Sequence, residues 1–282
     1  MILHKYLNSK YGIDAMLDSE LKTSVPTDVN DPFEFLPKDI GEWTIAKVKK
    51  FLKDKERQNR MYQDHKSQKI VKNKKEFKKI LKEKDDIAKT LLTKFQLRDN
   101  WDNIHEMRER LSEFLRLISF SSEFAKTTDE ILMWSHYGNN HTGYRLHYDS
   151  ELIMQRSFEL KEIEYSDERP KIDYTLESSS NKFVNQIIQS ATTKAICWEY
   201  EKEYRLLIDP EYCTNKKNND QTLYFAKIPP SSLLRVDLGL NSNKYSMDDI
   251  KDLSVSNRFK NIAFFKAELN KNNYKLDYVP IN

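Results

Sequence analysis

The sequence predicts an α+β fold: a mixed or antiparallel sheet of short strands with flanking helices, interrupted by a long basic helical insertion. Three observations predict it. Short runs with a period of two recur through the second half of the chain. Between Thr44 and Leu117 there is no proline or glycine, and lysine, glutamate, leucine and arginine dominate. The same stretch carries an excess of positive charge that the rest of the chain lacks.

Taken in order, Ile2 to Tyr6 reads as a short strand, Tyr11 to Leu17 has helical spacing, and Leu21 to Val25 suits a second strand. Pro26 and Asn30-Asp31-Pro32 punctuate a turn, because the residue before a proline is pushed to extended geometry. Narrow apolar stripes then predict helices that cover something on one side only: Val48, Phe51 and Leu52, followed by Phe77, Ile80, Leu81, Ile87, Leu91, Leu92 and Phe95. Arg57 to Asn73 is poor in apolar residues and reads as a turn or hairpin tip. Leu111, Phe114, Leu115 and Ile118 widen the stripe and return the chain to the core. Strands are expected at 118–121, 144–148, 162–165, 203–208, 223–228, 233–238, 262–269 and 274–278. Helices are expected at Thr128 to Tyr137, Lys182 to Ala195 and Met247 to Arg258, and exposed loops at Ser178 to Asn181 and Thr214 to Asp220. The core is therefore divided into residues 1–43 and 118–282, with the insertion at 44–117.

Composition narrows the class. The chain has 282 residues, 38% hydrophobic and 32% charged, and its 33 Phe, Tyr and Trp side chains argue for collapse rather than disorder. No apolar run approaches the roughly 20 residues of a membrane span, and the opening is not a signal peptide, so a cytoplasmic location is expected. Two cysteines, Cys197 and Cys213, make neither a disulfide framework nor a metal-ligand spacing. From Lys47 to Lys89 there are 17 Lys or Arg against 7 Asp or Glu, a local +10 in a chain of net +3. Five glycines, with no Walker loop and no G-x-G-x-x-G, exclude a Gly-rich phosphate cradle.

Five clusters could carry chemistry. His4 and Tyr6 alternate onto one side of the opening strand, where an imidazole and a phenol could hydrogen-bond a ribose and stack on a ring; satisfied polar tips at a strand edge are the plainer reading. Asn30, Asp31 and Glu34 lie in a turn that Asn and Asp can close with their own side chains. Ser119 and Ser121 precede a helix, read as capped by Asp129 and ended by Gly138, whose Trp134 and Tyr137 share a face; this suits a core wedge or an aromatic pocket wall. His136 lies off that face. No nucleophile-elbow glycines surround the serines, which argues against a serine hydrolase. His141 and His147 lack zinc spacing, and no metal is expected. Last, Glu201, Glu203 and Arg205 alternate onto one side if their segment is a strand, as an ion-paired patch or as a site with one working carboxylate.

Together, H-K-Y, N-D-P-F-E, S-F-S, D-x-x-x-M-W-x-x-Y-G, T-G-Y, W-x-Y-E-x-E-x-R and a closing Y-K-L resemble the bacterial family known as domain of unknown function 2971, from Leu3 to Tyr278 outside the basic stretch. The opening strand and the late E-x-E also resemble ADP-ribosyltransferases at fold level. That resemblance implies NAD as substrate, His4 as ribose ligand, Glu203 or Glu201 as the catalytic carboxylate, and Tyr6 or Tyr137 stacking on nicotinamide. Lys5 and Tyr6 depart from the Tyr-Thr that follows the histidine in many members. The expected function is ADP-ribose transfer to a macromolecule or NAD hydrolysis, as a toxin or in anti-phage defence. An alternative is a non-catalytic module binding nucleic acid or a protein partner through Lys69, Lys72, Lys74, Lys75, Lys78 and Lys79, although lysine-rich helices are also ordinary solvated faces. A further alternative is a metal-dependent nuclease built on Asp31, Glu34, Glu201 and Glu203.

Overall fold

The computed structural model describes residues 1–8, 15–81, 84–96, 103–124, 126–154, 158–177, 179–218, 221–255 and 259–281. The fold is α+β, with a mostly antiparallel main sheet of short strands. The chain divides into two compact units. The first comprises residues 1–30, 111–165 and 194–282; the second comprises residues 31–110 and 166–193.

The first unit is built on an eight-stranded sheet. In chain order its strands are β1 (Ile2–Leu7), β2 (Arg116–Ser121), β3 (Tyr144–Asp149), β4 (Phe158–Glu162), β5 (Glu203–Ile208), β6 (Leu233–Leu238), β7 (Ala263–Leu269) and β8 (Leu276–Pro280). Their spatial order is β8-β7-β6-β3-β1-β2-β5-β4. Every pairing is antiparallel except β6 with β7.

Register sorts the side chains into two unlike faces, because residues opposite one another on paired strands point the same way. Leu3, Ile118, Phe120, Leu146, Leu206 and Val236 form one face, a dry apolar core. Ile153, Ile250 and Phe259 also belong to that core, as do Leu21 and Ala226 from a three-stranded sheet of Glu20–Lys22, Gln221–Lys227 and Thr214–Asn218. Burial of such residues is worth roughly 25 cal/mol per Å² of apolar surface. The other face carries His4, Tyr6, Ser121, Arg145, His147, Glu203, Arg205, Arg235 and Asp237. Trp134 of the Thr127–His136 helix is fully buried beside this face, its ring 5.2 Å from that of Tyr6 and nearly perpendicular to it.

β1 and β2 meet at one registered pair, His4 opposite Ser121, and then diverge. Lys5, which alternation turns toward the apolar side, sends Nζ to the Ser119 carbonyl at 2.9 Å, and Leu117 is paired with Ser24 instead. Both contacts satisfy backbone groups that the divergence would otherwise leave without partners.

The second unit contains helices Ile45–Phe51, Lys55–Ser67, Lys74–Ile80 and Lys84–Gln96. It also holds helix Asn181–Ala191 and a short parallel pairing of Lys38–Asp39 with Lys171–Ile172. Its core includes Trp43, Val48, Leu52, Tyr62, Phe77, Leu81 and Ala88. Thr44, Asp54 and Asn73 cap three of the helices through their side-chain oxygens.

Several expectations are corrected. Arg57 to Ser67 is helical rather than a tip, because Asp54 supplies the cap and Tyr62 one buried anchor. Thr214–Asn218 is a strand, paired along its length with 221–225, not a loop. The helix expected to reach Ala195 stops at Ala191, and Thr193–Ala195 is a strand. Asp129 does not cap its helix: Lys126 holds the cap position, and Asp129 lies in the first turn, where a carboxylate complements the helix dipole. Gly138 has no positive φ; the left-handed residues are Asn139, Asn140 and His141. Glycine is required at 138 because a Cβ would come within 2.4 Å of Trp134 Cε3. The helix read from Tyr11 begins outside the described residues.

Among the described residues, no helix is long and apolar enough to cross a membrane.

Candidate functional site

The polar face holds two charged clusters joined by a row of side chains. Glu203 on β5 stands opposite Ser121 on β2, which stands opposite His4 on β1, which stands opposite His147 on β3. At about 4.8 Å per strand, His4 and Glu203 lie two strands apart on the same side of the sheet.

The first cluster surrounds the two glutamates. Glu203 and Arg205 alternate along β5, and Arg205 Nε donates to Glu203 Oε1 at 2.8 Å. Glu201 is not on the strand, as alternation had suggested. It ends a 3₁₀ turn, Ile196–Glu201, and Lys202 between the two glutamates takes a left-handed conformation with φ 45°. Such a conformation costs a non-glycine residue roughly 1 kcal/mol. Both carboxylates are gathered on one ammonium, with Lys194 Nζ donating to Glu201 Oε2 at 2.5 Å and to Glu203 Oε2 at 3.1 Å. Tyr137 Oη donates to Glu201 Oε1 at 2.5 Å and accepts from Asn30 Nδ2 at 3.3 Å. Ser119 adds a side-chain hydrogen bond to Glu203, and Tyr165 Oη accepts from the Glu203 amide at 2.8 Å.

Burial pushes the Glu203 carboxyl above its ordinary range despite Lys194, and the Glu201 charge pushes the same way. Burial works against the Lys194 charge, but Glu203 and Glu201 outweigh it and hold the ammonium above its usual value. Burial, and then Glu201, push the Tyr137 phenol up, so it remains a proton donor.

The second cluster surrounds Asp237 on β6. Its Oδ2 accepts from Arg145 Nη2 at 2.6 Å and from His147 Nε2 at 2.7 Å, and its Oδ1 accepts from Arg235 Nε at 2.6 Å. Arg145 also pairs with Glu130, which accepts from Tyr278 Oη at 2.7 Å; Tyr278 in turn accepts from Trp134 Nε1 at 3.0 Å. Burial alone would raise the Asp237 carboxyl, but the His147 hydrogen bond and the Arg145 charge hold it well below the usual carboxylate range.

His4 lies between the clusters. Its Nδ1 is 3.1 Å from His147 Nδ1, and its ring is stacked 6.1 Å from that of Phe124. Burial, and then the neighbouring His147 and Arg145, lower its pKa to about 2, so the ring is neutral.

Of the residues singled out in the sequence, His4, Tyr6, Asn30, Ser119, Ser121, Trp134, Tyr137, Glu201, Glu203 and Arg205 belong to the first unit, and His4, Ser121 and Glu203 share one row. Trp134, read with Tyr137 as a core wedge or a pocket wall, is fully buried and packs edge-on against Tyr6. His136 is exposed, with Nδ1 2.9 Å from Tyr200 Oη. Asp31 and Glu34 belong to the second unit, where Asp31 Oδ1 accepts from the Phe33 amide and the carbonyls of both accept from Arg108. Lys69, Lys72, Lys74, Lys75, Lys78 and Lys79 are all exposed. Among the described residues, no three His, Cys, Asp or Glu side chains are grouped so as to hold a metal.

The sequence reading missed Lys194, Arg145, Asp237, Glu130 and Tyr165, and weighed His147 only as a zinc ligand. The signal for Asp237 lay in its strand: an aspartate inside the Leu233–Leu238 run must find buried partners.

A family model described as Protein of unknown function (DUF2971) matches residues 133–206. No curated protein and no solved structure matches the chain.

Proposed function

Because the family model that matches residues 133–206 carries a description that names no activity, we propose a function from the chemistry of the site itself: cleavage of NAD, with ADP-ribose passed to a macromolecule or to water. One observation carries this reading: a neutral imidazole, a serine and a buried carboxylate stand in register across three neighbouring strands. Breaking the bond between nicotinamide and ribose sends the bonding electrons to the ring nitrogen and leaves positive charge on the ribose carbon. A carboxylate held in a site of low polarity stabilises that charge far better than water does. In this reading Glu203 supplies the carboxylate, with Glu201 beside it, and His4 binds a ribose hydroxyl. The Lys194 ammonium, between the two carboxylates, occupies the kind of position the developing positive charge needs. The incoming nucleophile bonds to the ribose carbon and loses its proton to solvent or to a carboxylate. A role in a toxin or in defence against phage would suit such chemistry.

The test is nicotinamide release by the wild-type chain and by Glu203→Gln. A loss of roughly 100-fold or more is expected in the variant, with its thermal unfolding still cooperative. Undiminished release would overturn the assignment of Glu203.

A second reading rests on the six exposed lysines between Lys69 and Lys79, which would contact phosphates of a nucleic acid. Affinity for DNA or RNA should then fall steeply as salt rises; salt-independent affinity would contradict it.

A further inference from the structure

We propose that Asp237 and His147 are positioning residues that fix the tautomer of His4, so that its outer nitrogen, Nε2, is a hydrogen-bond acceptor and the ligand group docking there is a donor, such as a sugar hydroxyl. The inference rests on the NAD-cleaving reading only for the identity of the ligand; the tautomer follows from the hydrogen-bond chain together with the neutrality of both rings.

The chain is read from its charged end. Asp237 is ionised, since two guanidiniums and an imidazole converge on it. A carboxylate can only accept, so His147 Nε2, at 2.7 Å, carries a hydrogen. Burial, opposed by Asp237, lowers the His147 pKa and keeps that ring neutral, so its other nitrogen, Nδ1, is a lone pair. His147 Nδ1 faces His4 Nδ1 at 3.1 Å, and two lone pairs cannot hydrogen-bond, so the hydrogen there belongs to His4. His4 is neutral as well, which leaves the lone pair on Nε2. Among the described residues no hydrogen bond to that nitrogen is found, and 9% of the residue is exposed. The orienting logic is that of a buried aspartate holding a catalytic imidazole, extended here by one ring.

Charge supports the same ligand class. The cations nearest the relay, Arg145 and Arg235, are already engaged by Asp237 and Glu130. A phosphate or carboxylate at His4 Nε2 would meet a lone pair; a hydroxyl would donate to it. Glu203, two strands away on the same face, would accept from a neighbouring hydroxyl.

The test uses the full chain labelled with ¹⁵N-histidine, its six histidines assigned with His4→Gln and His147→Gln. At neutral pH the wild-type spectrum should show His4 with hydrogen on Nδ1 and none on Nε2. His4 carrying hydrogen on Nε2, or on both nitrogens, would overturn the relay. His147→Gln can still reach Asp237 but offers nothing at the Nδ1 position, so His4 should shift toward the Nε2–H form. The KM for NAD should then rise about ten-fold, the scale of one hydrogen bond. His147→Asn, which places an amide oxygen near the lost Nδ1, should recover part of both effects. His4 signals unchanged in His147→Gln would refute the role of His147. The two readings fail separately: the expected tautomer without NAD cleavage leaves the relay standing and removes NAD as ligand, whereas NAD cleavage with an Nε2–H His4 does the reverse.

Discussion

The two charged clusters on the polar face have similar parts but opposite electrostatic outcomes. Around Asp237, two arginines and a neutral histidine converge on one carboxylate, with Glu130 sharing Arg145, and the Asp237 pKa falls. Around Glu203, two carboxylates divide one lysine and one arginine, burial prevails, and the Glu203 pKa rises. The His147 hydrogen bond and the guanidinium charges converging on Asp237, against the Glu201 charge pressing on Glu203, therefore separate a group held ionised from a group under tension. Pairs of carboxyl groups whose surroundings drive their pKa values apart are a mark of sites that do chemistry. The Asp237 cluster anchors, and the Glu203 cluster is the one poised to respond to a ligand charge.

The largest expected effect comes from breaking the anchor. Asp237→Ala leaves the buried Arg145, and the partly exposed Arg235, without their shared carboxylate and should lower unfolding free energy by about 3–5 kcal/mol in denaturant titrations. A loss below about 1 kcal/mol would mean that the cluster is not the anchor inferred here. Lys194→Met should cost less, about 2–3 kcal/mol, because the stranded glutamates can relieve the buried charge by taking up a proton.

Acidity sharpens the contrast. The folded pKa of Glu203 is raised, so its contribution to stability is fully present below the ordinary value of 4.5 and is lost as pH rises through the folded value. The folded pKa of Asp237 is lowered, so its contribution is present above 3.8 and is lost as pH falls toward the folded value. Unfolding free energies across roughly pH 3 to 7 should show Glu203→Gln gaining relative to wild type as pH rises, and Asp237→Asn losing most at the neutral end. Parallel profiles for the two variants would erase the distinction. The smallest effect is expected from Tyr137→Phe, which removes one hydrogen bond to Glu201 at a cost of about 1 kcal/mol.

The sequence made part of this legible and hid part for physical reasons. Period-two alternation was enough to put Glu203 with Arg205 and His4 with Tyr6, because a strand allows no other arrangement. The S-F-S segment was visible as a strand, but no pattern indicated that Ser121 would sit between His4 and Glu203; that is set by strand order, which a local pattern does not encode. Lys194 was hidden because the helical reading ran on to Ala195, whereas the chain leaves the helix at Ala191 and folds a 3₁₀ turn back so that the lysine meets residues seven and nine positions later. The His147–Asp237 contact joins residues 90 apart, beyond any local signal. Asp31 and Glu34 looked chemical by residue type; Asp31 Oδ1 closes its own turn, and the backbone carbonyls of both accept from Arg108.

The most direct measurement is a crystal structure of Glu203→Gln, slowed in turnover, with NAD bound. The account predicts the nicotinamide-bearing ribose on the polar face, one hydroxyl donating to His4 Nε2 and the ribose carbon beside residue 203. NAD seated away from that row, or no binding at concentrations that saturate ordinary NAD enzymes, would contradict it.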